Sequence, residues 1–247
     1  GSIYKYANIA SMKSHGIEFT ISSKNIQSKD FSWNTDFIFS KAKNEVTELN
    51  ARSSVMDLVS GYGFARQGYP VRGLFSIPFV GLSSNGIPMY NINGKITSTD
   101  IDFQTRDNID YLKYEGPTDP TITGSFGNIF TYKAFKLNVF ITYSFGNVVR
   151  LNPCFNYQYS DLSSMPREFK NRWTVPGDER HTNIPAIISK RQYEDNKDLM
   201  YAYNAYNYST ERIAKGDFIR MKEISLSYDF PKSWITSAKI SNLSLKL

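Results

Sequence analysis

The residue types that most often bind metals or act as nucleophiles are scarce in this chain. Its 247 residues include two histidines, His15 and His181, and a single cysteine, Cys154. A zinc-type centre needs several ligands of these types, and a lone cysteine cannot form an internal disulfide. A nucleophilic pair of Cys154 and His181 is formally available, but no local signature supports it. We therefore expect no catalytic residue, no cofactor and no metal, and we predict that the chain is not an enzyme.

Carboxylate oxygens are more plentiful. Four aspartates share one polar stretch and could together offer oxygens to calcium: Asp100, Asp102, Asp107 and Asp110. Their spacing does not follow the EF-hand pattern, which favours a solvated acidic loop. Gly61 and Gly63 also fall short of a phosphate-binding loop, because the remaining glycine and the Lys with Ser or Thr are missing.

Aromatic side chains are the most plentiful candidates for ligand contact, with 17 Tyr, 17 Phe and 3 Trp. Four of them fall in a long polar segment and are the predicted substrate-binding residues: Trp173, Tyr201, Tyr203 and Tyr206. They could stack on a sugar or a peptide, or pack against a partner protein, and packing within the segment is the alternative. Four others lie near predicted strand ends, where membrane barrels carry aromatic girdles, with ordinary sheet packing as the alternative: Trp33, Tyr132, Tyr143 and Tyr228.

The charged residues argue against a nucleic-acid partner. Lys and Arg number 29 against 23 Asp and Glu, a net charge of +6, which is a modest excess. The densest basic pairs, such as Lys190 with Arg191, never grow into the tract expected of a nucleic-acid-binding arm.

The strongest structural signal is period-two alternation over residues 122–145, interrupted by a tight connection at Lys133 and Ala134. In the second run one side is apolar, with Phe140 as an exception on the other side: Phe135, Leu137, Val139, Ile141, Tyr143 and Phe145. This pattern is typical of a β-strand with one apolar face. Each run has about ten or eleven residues, enough to cross a hydrocarbon layer when tilted. A strand in a soluble sandwich, covered by a second sheet, would show the same alternation.

Two more hairpins are predicted, one over residues 16–39 and one beginning at Phe218. In the last hairpin the apolar side switches between Met221 and Ile224, which predicts a β-bulge. A turn from Pro231 then leads into a terminal strand over residues 240–247. Six strands are predicted in all, and up to ten.

Long polar excursions over residues 41–120 and 148–216 separate the hairpins and are predicted mainly as loop. The first could hold a short helix capped by Ser53 or Ser54 and small strands bent at its prolines. Short connections on one side and long ones on the other are typical of outer-membrane barrels. No apolar run is long enough to predict a transmembrane helix. No signal peptide is visible, and the chain stops within an alternating run, so we expect a piece of a larger protein.

Five groups of short strings, in order along nearly the whole chain, resemble the C-terminal half of SusC/RagA-type TonB-linked outer-membrane transporters of Bacteroidetes. The Gly68-Tyr69-Pro70 loop and the Trp173-Thr174 pair are two of the matching features. The groups cover residues 11–18 with 31–35 and 44–46, then 68–71 with 79–88, then 124–146, 172–178 and 216–222.

The resemblance implies an all-β fold, a segment of an antiparallel transmembrane β-barrel of about 22 strands with long extracellular loops. Residues 1–247 would form one partial barrel domain, without the plug, the TonB box and the final strands. The implied function is import of oligosaccharides or peptides across the bacterial outer membrane. The implied partners are a SusD-like lipoprotein lid, the TonB complex through the absent N-terminal part, and outer-membrane lipid.

Two other classes stay open from the sequence. One is a soluble all-β surface module that binds carbohydrate. The other is an enzyme of the β-helix or propeller type, although no repeat of about 20 to 50 residues is visible.

Overall fold

The computed structural model describes residues 9–61, 65–155, 164–236 and 239–247. The chain divides into two compact units. The sheet unit consists of Ser14–Lys43, Pro120–Gly146 and Gly216–Leu247, and the loop unit of Gly1–Lys13, Asn44–Asp119 and Asn147–Lys215. The prediction of one partial barrel domain over residues 1–247 stays a prediction.

The described elements are mostly strands. In chain order they are β1 (Ala10–Gln27), β2 (Phe31–Leu49), β3 (Gly73–Ser76), β4 (Phe79–Leu82), β5 (Pro88–Ile92), β6 (Lys95–Thr97), β7 (Lys113–Pro117), β8 (Ile122–Tyr132), β9 (Phe135–Phe145), β10 (Val148–Arg150), β11 (Ile213–Lys215), β12 (Phe218–Asp229) and β13 (Ser244–Lys246). The α-helices are α1 (Val55–Ser60), α2 (Lys190–Asp195), α3 (Leu199–Asn207) and α4 (Lys232–Ile235). Short 3-10 turns lie at Ile109–Tyr111, Arg167–Asn171, Asp178–Arg180 and Thr210–Arg212. Within the described ranges, none of the helices is long and apolar enough to span a membrane.

The main sheet has six strands in the order β1-β2-β8-β9-β12-β13. Strands β2, β8, β9, β12 and β13 pair antiparallel with their neighbours. The predicted central hairpin is confirmed, with Lys133 in the left-handed region at φ 51° in its two-residue connection. The predicted terminal strand is shorter than expected and has strand geometry over Ser244–Lys246, although Leu247 still exchanges backbone hydrogen bonds with Leu226.

Directly paired residues point to the same side of a sheet. The strand register therefore groups apolar side chains on one face and polar side chains on the other. Phe37 pairs with Phe126, Phe126 with Ile141, and Ile141 with Met221. On the other side Ser125 pairs with Thr142, and Thr142 with Arg220. We call these two sides the apolar face and the polar face of the main sheet.

The predicted bulge in β12 is confirmed. The pairing of β12 with β9 shifts between Met221 and Glu223, so one extra residue enters the strand there. After the shift Ile224 pairs with Val139. The bulge therefore returns the apolar side chains of β12 to the apolar face.

Two glycines of β8 make room for aromatic rings from β9. A Cβ on Gly124 would meet the hydroxyl of Tyr143 and the carbonyl oxygen of Ile38. Across this gap the Tyr143 hydroxyl donates to the Ile38 carbonyl at 2.8 Å. On the polar face Phe140 pairs with Gly127, where a Cβ would lie 3.3 Å from its ring. A ring packed over a strand glycine explains why Phe140 departs from the polar pattern.

The loop unit has its own apolar core, which corrects the prediction that residues 41–120 are mainly loop. That segment contains α1 and strands β3 to β7, in two small sheets. The predicted cap is confirmed, since the Ser54 hydroxyl accepts from the Asp57 amide and the Asp57 carboxylate from the Ser54 amide. Buried residues from well-separated segments form the first loop core: Val55, Leu58, Val59, Phe75, Ile77, Tyr90, Ile101, Phe103, Leu112 and Ala205.

A buried guanidinium links several segments of the loop unit. Arg150 donates to the carbonyl oxygens of Val59 at 3.0 Å, Phe75 at 2.6 Å and Ser209 at 3.1 Å. Burial lowers the pKa of Arg150 to about 10, which still leaves it charged at neutral pH. Backbone carbonyls thus satisfy a buried cation and hold strand ends and α1 together.

Candidate functional site

Large apolar side chains are exposed on the apolar face of β1, β8, β9, β12 and β13, among them Phe126, Leu137 and Leu245. Ile17 is 68% exposed, Ile219 69% and Ile224 65%. These fractions show that no described element packs over them as a second sheet would. A continuous exposed apolar surface of this kind marks contact with a membrane or a partner. The soluble sandwich predicted as an alternative would bury these side chains.

Aromatic rings gather at the end of the apolar face that carries the short connections. Trp33 stacks on Phe130 with ring centroids 5.7 Å apart, and Phe135 lies 4.8 Å from Tyr228. Tyr132 is largely exposed beside them. Trp and Tyr rings near strand ends are typical of the interfacial girdles of membrane barrels. Of the four residues predicted for girdles, Tyr143 lies nearer the opposite end of its strand.

One polar cluster interrupts the apolar face, and its groups satisfy one another. The Asn128 side-chain oxygen accepts from Trp33 Nε1 and from the Thr35 hydroxyl, both at 2.8 Å. The Asn25 side-chain amide donates to the same Thr35 hydroxyl at 2.6 Å. Polar groups without partners are costly in hydrocarbon, and this network allows Asn128 to occupy an apolar surface.

The polar face carries hydroxyl, amide and charged groups that bond across strands. The Ser22 hydroxyl donates to Asp36 at 2.6 Å and the Ser40 hydroxyl to Glu18 at 2.9 Å. Lys246 pairs with Glu223 at 2.8 Å. A sheet with one apolar face and one hydrogen-bonding face is suited to a position between lipid and water.

Two of the four predicted substrate-binding residues are buried. Tyr203 is 1% exposed and Tyr206 is 3% exposed. Both belong to the second loop core, which also contains Cys154, Phe155, Phe169, Ile188, Leu199 and Ala202. The Tyr203 hydroxyl donates to the Ala186 carbonyl at 2.7 Å, and burial raises the pKa of Tyr206. Their position supports the packing alternative for these two tyrosines.

Trp173 is partly buried and held in place by its neighbours. Its indole N–H donates to Glu179 at 3.1 Å. Gly86, at φ 73°, lies against the ring, where a Cβ would clash. Hydrogen bonds from its own backbone amide, from Trp173 and from Gly177 lower the pKa of Glu179. Trp173 thus anchors two loop segments to each other.

Tyr201 differs from the other three, because it is 40% exposed and lines a cleft within the loop unit. This loop cleft has a volume of about 890 Å³. It is lined by residues 99–104, by Met56 and Phe155, and by Asp198, Met200, Tyr201 and Asn204 at α3. The sequence-based prediction did not include Asp198, Met200 and Asn204, which also line the cleft. Asp198 and Asn204 are each three residues from Tyr201, a spacing that places them beside it on a helix.

The aspartates considered for calcium pair with cations or backbone groups. Asp107 bonds Arg52 at 2.9 Å, Asp110 bonds Arg66, and Asp100 bonds Lys95 at 2.8 Å. Across the described ranges, no group of three or more His, Cys, Asp or Glu residues has the arrangement of a metal site. Burial raises the pKa of Cys154 to about 12, which leaves its thiol protonated and unreactive at neutral pH.

Comparisons with known proteins agree with this geometry. No family profile matches the chain. TonB-dependent receptors P3 and P39 of Formosa agariphila are each 25% identical over 96% and 97% of the chain, which covers 24% and 26% of their lengths. TonB-dependent receptor SusC of Bacteroides thetaiotaomicron is 26% identical over 93% of the chain and 22% of its own length.

Solved structures give the same result. The RagAB peptide transporter matches 98% of the chain and 25% of its own chain, with a TM-score of 0.71 and 20% identity. The RagAB peptide importer in its open-open state matches with a TM-score of 0.70 and 18% identity. The chain therefore spans about a quarter of the length of the proteins it matches.

The open antiparallel sheet, its two contrasting faces and these matches define the fold as part of a TonB-dependent transporter barrel, and the predicted fold class is confirmed. Over nearly its whole length the chain is similar to TonB-dependent receptors, SusC among them, which supports the resemblance seen in its sequence strings. The relatives named here are receptors and transporters, not enzymes.

Proposed function

We propose that this chain forms part of the wall and the external loops of a bacterial outer-membrane barrel that imports oligosaccharides or peptides. The observation that carries the proposal is the exposed apolar face, which lies opposite a hydrogen-bonding face of the same sheet. In a bilayer, acyl chains would cover the apolar face and the polar face would line the lumen.

The arrangement of strands supports a wall segment. The order of the main sheet begins at β1 and ends at β13, so the described sheet has two edges. Open edges do not occur in hydrocarbon, because their backbone groups would lack partners. Further strands of the full-length protein would complete the barrel.

In this proposal the protein moves its substrate without chemical change. The loop unit would contact substrate at exposed side chains, with Tyr201 as the first candidate and Trp173 as a support for the loops. A SusD-like lipoprotein would close over the loops, and the TonB complex would act on a plug elsewhere in the protein. Tyr203 and Tyr206 would contribute by holding α3 in place.

The test is uptake by cells that express the full-length protein carrying this chain. We expect a labelled member of an oligosaccharide and peptide panel to enter intact cells, and uptake to stop when TonB is deleted. The purified protein should need detergent or lipid to stay monodisperse. A full-length protein that is monodisperse without either would contradict the proposal and favour the soluble carbohydrate-binding module.

A further inference from the structure

We propose that the loop cleft binds a peptide with basic and apolar side chains, an inference that rests on the proposed import function. The cleft volume of about 890 Å³ lies in the range of about 300 to 1,000 Å³ that is usual for ligand sites. Its described lining comes from the loop unit: residues 56, 99–104 and 155, together with Asp198, Met200, Tyr201 and Asn204.

The charge of the lining selects the sign of the ligand. Asp100, Asp102 and Asp198 line the cleft, and its described lining contains no Lys or Arg. Lys95 pairs with Asp100 at 2.8 Å, so the attraction for a cation rests on Asp102 and Asp198. The Asp102 carboxylate accepts a hydrogen bond from the Gln104 backbone amide at 2.8 Å. Asp198 is the N-cap residue of α3, but its side chain makes no capping hydrogen bond to the helix. A cleft lined by one sign of charge attracts the opposite sign. Carboxylated or sulfated glycans would be repelled.

The floor of the cleft selects apolar side chains over sugar rings. Met56 and Met200 line it, and thioether side chains adapt their shape to varied apolar partners. Phe103 and Phe155 are each 6% exposed, so they offer an apolar base without a free ring face. Among the aromatic residues in the described lining, Tyr201 alone has a substantially exposed ring. A sugar would need more such faces on which to stack.

The core behind α3 fixes the position of the lining residues. Leu199, Ala202 and Tyr203 are buried on one side of the helix, while Asp198, Tyr201 and Asn204 line the cleft. Residues three apart lie next to each other on a helix. The carboxylate and the phenol are therefore presented together on a rigid element, which lowers the ordering cost of binding.

The experiment measures the Kd of two pentapeptides for the full-length protein in detergent, Ala-Lys-Phe-Lys-Ala and Ala-Glu-Phe-Glu-Ala, each with an uncharged dye. We expect the lysine peptide to bind at least tenfold more tightly at low salt, with the preference shrinking as salt rises. The double variant Asp102→Asn with Asp198→Asn should weaken its binding about tenfold. Asp195→Asn, an exposed aspartate in α2 that does not line the cleft, is the matched control and should change nothing.

Each other outcome has a defined meaning. Equal binding of the two peptides, or an unchanged Kd in the double variant, overturns the inference. Tighter binding of neutral maltoheptaose than of either peptide, weakened by Tyr201→Ala, would also overturn it and make the occupant a sugar. TonB-dependent uptake that persists in these cases leaves the import function standing, whereas TonB-independent uptake contradicts that function whatever the peptides do.

Discussion

The sheet unit and the loop unit place their apolar side chains in opposite ways. In the sheet unit, large apolar residues such as Ile219 and Ile224 project outward from a continuous face. In the loop unit, residues such as Leu58 and Tyr203 are enclosed in two cores. The difference shows that the loop unit supplies its own apolar partners, whereas the main sheet relies on an outside medium, which we propose is lipid.

Burial of side chains in the loop unit is tested most sharply by two tyrosines of α3. Tyr203→Ala should lower the free energy of unfolding by about 3 kcal/mol or more, because it empties a buried aromatic site. Tyr201→Ala should change it by about 0.5 kcal/mol or less, because that ring is exposed. Denaturant unfolding of the full-length protein in detergent, with hydrogen exchange along α3, measures both. Similar effects for the two variants would show that α3 is not packed as described.

Lipid contact at the apolar face of the main sheet is tested by placing a charged side chain there. Ile224→Arg should destabilise the inserted protein by about 2 to 4 kcal/mol, the cost of a cation in mid-membrane on the lipid side of a barrel. Ile224→Leu should cost about 1 kcal/mol or less. Ser227→Arg, three residues along on the polar face, should cost less than Ile224→Arg. Folding titrations into lipid vesicles measure all three, and a well-tolerated Ile224→Arg would contradict lipid contact at this face.

A smaller effect is expected where the sheet packs against itself. Gly124→Ala should cost about 1 to 3 kcal/mol by overpacking, because the new methyl would meet the Ile38 carbonyl and the Tyr143 hydroxyl. Gly127→Ala is the matched control, since its methyl would meet only the edge of the Phe140 ring at 3.3 Å and a backbone oxygen at 3.8 Å. The same vesicle titrations apply. If Gly127→Ala were the costlier variant, the ring of Tyr143 would not lie over β8.

The same contrast explains what could be predicted from the sequence. In the main sheet, residues of one face recur at every second position. The alternation of apolar and polar residues therefore predicts the strands and the central turn, and a shift in that alternation predicts the bulge near Met221. Phe140 could not be explained until its partner Gly127 was known. These features depend on neighbours in sequence or on one adjacent strand.

The loop unit was less predictable because its contacts join distant segments. The first loop core contains Val55, Phe75 and Ala205. A local periodic pattern does not predict contacts between residues so far apart in sequence. The loop cleft likewise brings residues 99–104 together with Asp198, Tyr201 and Asn204. Aromatic type and position in a long polar segment predict four substrate contacts, but they do not predict that Tyr203 is buried while Tyr201 is exposed. Local capping at Ser54 was predictable, because it needs only residues three apart.

The smallest expected effect is a local loss of amide protection in the loop unit at low pH, which the main sheet should not show. Hydrogen bonds from the Thr174 amide, the Val175 amide and the Thr174 hydroxyl lower the pKa of Asp178. A carboxylate with a lowered folded pKa stabilises its loop above the ordinary pKa, and that contribution is lost as pH falls through the folded value. Hydrogen exchange at the Thr174 and Val175 amides, corrected for intrinsic rates, should therefore speed up on acidification below the ordinary range for aspartate. Asp178→Asn should remove this acid response, and Asp195→Asn should keep it. Amides of the paired strands β8 and β9 should show no matching change, since their protection comes from backbone pairing; an equal acid response there would contradict a local origin at Asp178.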